Sequence, residues 1–244
     1  MDSSRRVLRK RLLSGAAAAE GVAVVIDVLR AFTSAAFMIH LGAEKIVLFA
    51  EPERVLRFKS ETGALAAGEV GGRMVSGFDM GNSPAQIVAA GRSPFAGRTV
   101  AQRTSAGVTG AVAAARCAER VILGSYVTAS AIAHYLQELQ APPETVSLVA
   151  MGNAGRESTP DDEGCASYLE HLLTGAPYSH ADALQRIVEH ECTQKFLRGD
   201  QAHFPPADPV FCLQRDLFGF CLTAQLEGDL LIGRRVDVPG RNKA

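Results

Sequence analysis

Apolar residues fall along this chain in short continuous runs separated by stretches of helical periodicity, the pattern of strands buried on both faces by flanking helices. Residues 21–28 (GVAVVIDV) form a β-branched run that ends in a charge, Asp27, and a helical pattern over residues 31–41 follows directly. Residues 45–50 (KIVLFA) predict a second strand and residues 51–62 a second helix with Pro52 in its first turn. Further strands are predicted over residues 64–68, 99–102, 121–124 and 146–152, and helices over 85–91 and 128–139, the latter closed by Pro142 and Pro143. A helix over residues 165–173 leads into a helical, polar stretch through Gly199. Residues 219–227 and 229–237 predict two final strands at hairpin distance about Gly228. This rhythm predicts an α/β fold with a largely parallel central sheet, flanking helices and an antiparallel C-terminal pair.

Composition narrows the function classes. With 47% hydrophobic and 21% charged residues, and no apolar run near the roughly 20 residues of a membrane span, the chain reads as soluble and globular with no membrane partner. A formal net charge of −1 removes any general electrostatic argument for nucleic acid. Residues 5–11 are a local exception, holding five basic residues ahead of Ser14, Gly15 and four alanines. They read as a solvated helix, so residues 1–20 are expected to be a basic helical segment preceding one α/β domain over residues 21–244. The five cysteines are scattered without any Cys-x-x-Cys pair, which suggests neither zinc nor disulfides and fits a reducing cytoplasm. His40, His134 and His171 sit in helical patterns and read as surface or capping residues.

The stretch with the densest chemistry is residues 68–84 (GEVGGRMVSGFDMGNSP). Its five glycines permit positive φ and close backbone approach to a ligand. Asn82, Ser83 and Pro84 suit a helix start, a natural place for an anion. Glu69 and Asp79 would serve a Mg²⁺-plus-phosphate site, although a long surface turn has the same composition. Asp27 lies at the carboxyl end of the first strand, where α/β sheets bind ligands, which makes it a candidate for chemistry; the alternative is a cap for the next helix. Thr104, Ser105 and Gly107, in the turn RTSAGVTGA of residues 103–111, could cradle phosphate oxygens. Asp161, Asp162 and Glu163 either ligate a metal or favour a helix dipole. Acids gathered on one rim repel unless a cation joins them, and hard oxygen ligands select Mg²⁺. Arg30, Arg73 and Arg103 would bind an oxyanionic substrate, which points to phosphoryl chemistry.

The runs VVIDVLRAFTSA (residues 24–35), GEVGGRMVSGFDMGNSP, TSAG (104–107), GRESTPDDEGCA (155–166) and DPVFCLQRD (208–216) resemble, in that order, the 2-phosphosulfolactate phosphatase family. The resemblance implies an α/β fold and a cytoplasmic, Mg²⁺-dependent phosphatase that converts 2-phospho-3-sulfolactate to 3-sulfolactate on the route to coenzyme M. Asp27 would then be nucleophile or metal ligand, with Arg30 beside it on the anion. Glu69, Asp79, Asp161 and Asp162 would hold the metal, and Arg73, Asn82, Ser83, Arg103, Thr104, Ser105 and Gly107 the substrate. Two departures stand out: Ala106 where the family commonly has asparagine, and Thr128 where asparagine is expected. Lost polar groups beside a ligand shift specificity, which keeps open a phosphatase for another small ester or a non-catalytic anion sensor. The oligomeric state, a homo-oligomer included, is not legible.

Overall fold

Strand and helix alternate along almost the whole chain. The structure, a computed structural model, describes residues 6–239. In order the elements are β1 (Arg6–Arg11), α1 (Leu12–Ala17), β2 (Val22–Ile26), α2 (Ala31–His40), β3 (Lys45–Leu48), α3 (Pro52–Thr62), β4 (Leu65–Val70), β5 (Arg73–Met74), α4 (Pro84–Ala90) and β6 (Thr99–Arg103). They continue with α5 (Gly107–Ala114), β7 (Arg120–Gly124), α6 (Ala129–Glu138), β8 (Thr145–Ala150), α7 (Pro160–Thr174), α8 (His180–Glu189), α9 (Glu191–Leu197), α10 (Asp208–Cys212), β9 (Phe220–Glu227) and β10 (Leu230–Asp237).

The strands alternate their side chains between two cores, as a period of two requires. Ala23 and Val25 of β2 join one cluster with Phe32 and Phe95, while Val22, Val24 and Ile26 join another with Tyr126, Ile132 and Leu169. Ile46 and Leu48 of β3 divide from Val47 in the same way, the latter packing with Val55 of α3. Burying both faces explains why these strands read as continuous apolar runs. No helix among the described residues is long and apolar enough to cross a membrane.

The sheet has the order β1-β8-β2-β7-β9-β10-β3-β6-β4-β5. Two parallel sets, β1-β8-β2-β7 and β3-β6-β4, are joined by the antiparallel C-terminal hairpin, which pairs with β7 on one side and β3 on the other. The fold is therefore the expected α/β sheet with flanking helices, but its hairpin lies in the middle and sets the two halves running in opposite directions. Sheet twist compensates. At about 20–25° per strand, the five steps from β2 to β6 turn one set against the other by on the order of 100°, which lets their carboxyl ends approach.

The N-terminal basic run is corrected. Residues 6–11 form strand β1, parallel to β8, and among the described residues of the expected helical segment only Leu12–Ala17 is helical; residues 1–5 lie outside the described residues. The charges are tolerated because distant acids meet them: Arg9 pairs with Glu163 and Glu170, Arg11 with Glu163, and Arg6 and Lys10 with Glu20. A basic edge strand also resists pairing with another sheet.

Gly68 couples the two strands that carry the glycine-rich stretch. Its φ is +135°, and a Cβ there would lie 1.9 Å from the carbonyl oxygen of Arg103 in β6. Gly68→Ala is expected to destabilise the protein by about 3 kcal/mol, because backbone and not a flexible side chain must move. A thermal melt should show a midpoint lower by roughly 6–12 °C.

Candidate active site

Asp27 follows β2 directly and is 6% exposed. Its Oδ1 accepts the Ala31 amide at the start of α2 (2.9 Å), and its Oδ2 accepts the Gly107 amide at the start of α5 (2.7 Å). One carboxylate thus caps two helices, one from each half of the sheet. Gly107 has to be glycine here, since a Cβ would stand 2.7 Å from Asp27 Oδ2. Burial is the largest influence on the Asp27 carboxyl and pushes it up; the two amides oppose this, Asp161 and Glu69 add repulsion, and it settles at about 7.

Glu69 ends β4 and organises the glycine-rich loop. Its Oε1 accepts the Ser105 amide (2.6 Å), and its Oε2 accepts the Gly72 amide and the Ser105 hydroxyl. Arg103 donates to the Glu69 and Ala50 carbonyls, so it braces backbone. Asp79 stands apart from the cleft, between the Lys59 ammonium (2.6 Å) and the Ala66 amide (2.8 Å). Arg73 is exposed on β5. Thr104 caps α5 by accepting the Val108 amide, and Ser83 caps α4 by accepting from Gln86, as its position before Pro84 predicts.

The acids of residues 161–163 form the first turn of α7, which starts at Pro160. Asp162 accepts the Val28 and Gly152 amides, Asp161 the Leu29 amide, and Glu163 turns outward to Arg9 and Arg11. Burial first, then Asp161 and Asp27, raise the Asp162 carboxyl well above its ordinary range. Asp161 Oδ1 and Asn82 Oδ1 are buried without a hydrogen-bond partner.

Arg30 is 5% exposed and its charge is answered by Asp208, which is fully buried, through a 2.7 Å bond to Oδ2. It also donates to the His203 carbonyl, and its guanidinium lies 5.2 Å and 5.4 Å from the ring centres of Phe196 and Phe204. Asp208 Oδ1 accepts from the Ser83 hydroxyl and the Ala85 amide.

These pieces enclose a cleft of about 160 Å³. Of the residues expected in a site, Asp27, Arg30, Glu69, Asn82 and Ser105 line it. Asp161 and Asp162 lie behind, reaching it through the backbone of residues 28, 29 and 152. Arg73, Asp79, Ser83, Arg103, Thr104 and Gly107 do not line it. Ala106 does, whereas Thr128 is buried against the Ser125 carbonyl, so only the first departure bears on the cleft. Lys195, Phe196 and Phe204 complete the wall unannounced by any motif. Only Asp208 had a signal, as the first residue of a stretch that carried the resemblance.

A family model of 2-phosphosulpholactate phosphatase matches residues 7–219. The chain belongs to that family. As a member of the 2-phosphosulpholactate phosphatase family it is a phosphoric monoester hydrolase. A protein of Bacillus subtilis named probable 2-phosphosulfolactate phosphatase is 29% identical over 215 residues, 87% of this chain and 91% of the relative. Proteins of the same name are 34% identical in Caldicellulosiruptor saccharolyticus, over 81% of this chain and 86% of the relative, and 40% identical in Thermus thermophilus, over 62% and 61%.

The residues fit a Mg²⁺ ion only in part. Among the described residues no three His, Cys, Asp or Glu side chains converge into a cage for a metal. Mg²⁺ needs less, commonly one or two carboxylates with water and substrate phosphate supplying the rest. Of these acids Asp27 and Glu69 line the cleft, while the unpartnered Oδ1 of Asp161 is buried behind it. Asp79, tied to Lys59, does not contribute.

A carboxyl raised in the folded state makes a stability contribution that is full at low pH and lost as pH climbs. For Asp27 the window runs from its ordinary 3.8 to about 7. In metal-free protein, unfolding free energy measured by denaturant titration should lose part of its fall across that window in Asp27→Asn. An identical pH slope in both proteins would show that Asp27 does not titrate there.

Proposed function

We propose that the chain hydrolyses 2-phospho-3-sulfolactate to 3-sulfolactate and phosphate, and that it requires Mg²⁺. The observation that carries this is the buried, amide-held Asp27 at the floor of a cleft, with Asp161 and Glu69 near enough to repel its charge. Asp27, which lines the cleft, would hold the cation with Asp161 behind it, and the cation would supply a Lewis acid for the phosphoryl oxygens.

The protein's own part is positional. Both oxygens of Asp27 are fixed by amides from two helices, so its carboxylate cannot swing to follow a phosphorus atom through in-line displacement. A fixed carboxylate suits holding a cation, and water is then the attacking group. In the net reaction water's oxygen bonds to phosphorus, the bond from phosphorus to the ester oxygen breaks, and that oxygen leaves with a proton as the 3-sulfolactate hydroxyl. Glu69 fixes the loop of residues 71–72 and Ser105 along the cleft wall, and Asn82 offers an unpartnered amide oxygen. Ala106 leaves the wall one amide short of the family's common pattern, which favours a changed preference among small esters over a loss of turnover.

Phosphate release from 2-phospho-3-sulfolactate should be abolished by chelation and restored by Mg²⁺. Asp27→Asn should lower kcat by roughly 10³-fold or more, about 4 kcal/mol. Its melting temperature without metal should change little, because the lost Gly107 bond is offset by removal of a buried charge. Full activity in excess chelator overturns the Mg²⁺ assignment. Turnover of Asp27→Asn within a few-fold of the parent overturns the role of Asp27.

A further inference from the structure

We propose that Lys195 binds a second anionic group of the substrate, separate from the phosphate, and so selects esters that carry one. This rests on the phosphatase reading above and assigns a residue that neither the motifs nor the resemblance singled out.

Among the described residues the cations that line the cleft are Arg30 and Lys195; Arg73, exposed on β5, stands near but does not line it. Arg30 is neutralised by Asp208 at 2.7 Å, and Arg103 faces the carbonyls of Ala50 and Glu69. Lys195, projecting from α9 into the cleft wall, makes no ion pair within 4 Å among the described residues. The acid nearest it along the helix, Glu191, is bound by Arg198 at 2.6 Å.

Its ammonium is nevertheless held in place. It lies 4.8 Å from the Phe204 ring centre and 5.5 Å from that of Phe196, the same two rings that take the Arg30 guanidinium. Those rings pack edge to face at 5.0 Å and support each other as one platform. Ring faces attract a cation without satisfying its three N–H donors, which leaves the ammonium positioned and still able to donate. In the proposed reaction the phosphate sits at the floor, beside Asp27. A half-buried lysine on the wall is placed for what the rest of the molecule carries: a carboxylate or a sulfonate.

The test compares Lys195→Met, which keeps the stem against the rings and deletes the charge, with Lys195→Arg, which keeps the charge. Substrates are 2-phospho-3-sulfolactate and phenyl phosphate, which has no second anion. Lys195→Met should raise KM for the first on the order of 10- to 100-fold, as expected for a lost charge-assisted bond, with kcat within a few-fold. The loss in kcat/KM on phenyl phosphate should be smaller by about 10-fold or more, and Lys195→Arg should recover most of the loss. Equal losses on both esters, or none on the first, overturn the proposal while leaving the phosphatase reading intact. Calorimetric binding of 3-sulfolactate to metal-loaded parent and Lys195→Met gives a readout free of turnover. A parent that releases no phosphate from either ester overturns the phosphatase reading, yet 3-sulfolactate binding weakened about 10-fold or more by Lys195→Met still supports the lysine's role. Equal affinity, or no binding to the parent, overturns it.

Discussion

A buried carboxylate shared between two helix starts is the constraint on which this structure turns. Asp27 joins α2, which follows one parallel half of the sheet, to α5, which follows the other. With the sheet's twist, that link holds the ends of β2 and β6 together across a hairpin that reverses the sheet's direction. The arrangement holds an anion where burial disfavours it, and the opposing influences leave its carboxyl near neutrality. Fold closure and site assembly are therefore one event.

Asp208 acts as the second clamp, from 178 residues away in sequence to its partner Arg30. Buried ion pairs seldom add net stability over an apolar replacement, since desolvation offsets the attraction. This one has further satisfaction: Asp208 also takes the Ser83 hydroxyl and the Ala85 amide, and Arg30 lies against two aromatic rings. Its return is geometric. It pins the start of α4, the turn after β2 and the segment from His203 to α10 around one wall of the cleft.

How much of this was legible depended on whether the cause lay nearby in sequence. The run at residues 22–26 announces a doubly buried strand because every position is apolar, and the charge that ends it singles out Asp27. Ser83 before Pro84 announces a helix cap for the same local reason. Strand β1 was misread because its charges are satisfied by Glu163 and Glu170, which no local window contains. The hairpin was legible as a hairpin, but its place between β7 and β3 is a matter of tertiary pairing. Lys195 and Phe196 lie in a polar helical stretch and Phe204 just beyond it, and they matter only because the fold brings them to the cleft wall, where the two rings meet Arg30. Asp79 looked like its neighbours in the glycine-rich stretch until Lys59, twenty residues upstream, is placed beside it.

Charge in the cleft gives the last step. Its lining carries Asp27 and Glu69 against Arg30 and Lys195, and Arg30 is already neutralised from behind. Asp161 and Asp162 stand beneath the floor, each accepting backbone amides that border it. An ester bearing a phosphate and further anionic groups approaching such a surface meets repulsion of several kcal/mol at partly buried separations of about 4 Å, where an effective dielectric near 20 gives about 4 kcal/mol per pair of unit charges. One lysine on the wall offsets a single anionic group. The phosphate needs positive charge of its own at the floor, which is the physical reason for a divalent cation in the proposed reaction. The two unpartnered oxygens, on Asp161 and Asn82, are the kind of atoms that such an ion or its waters would engage.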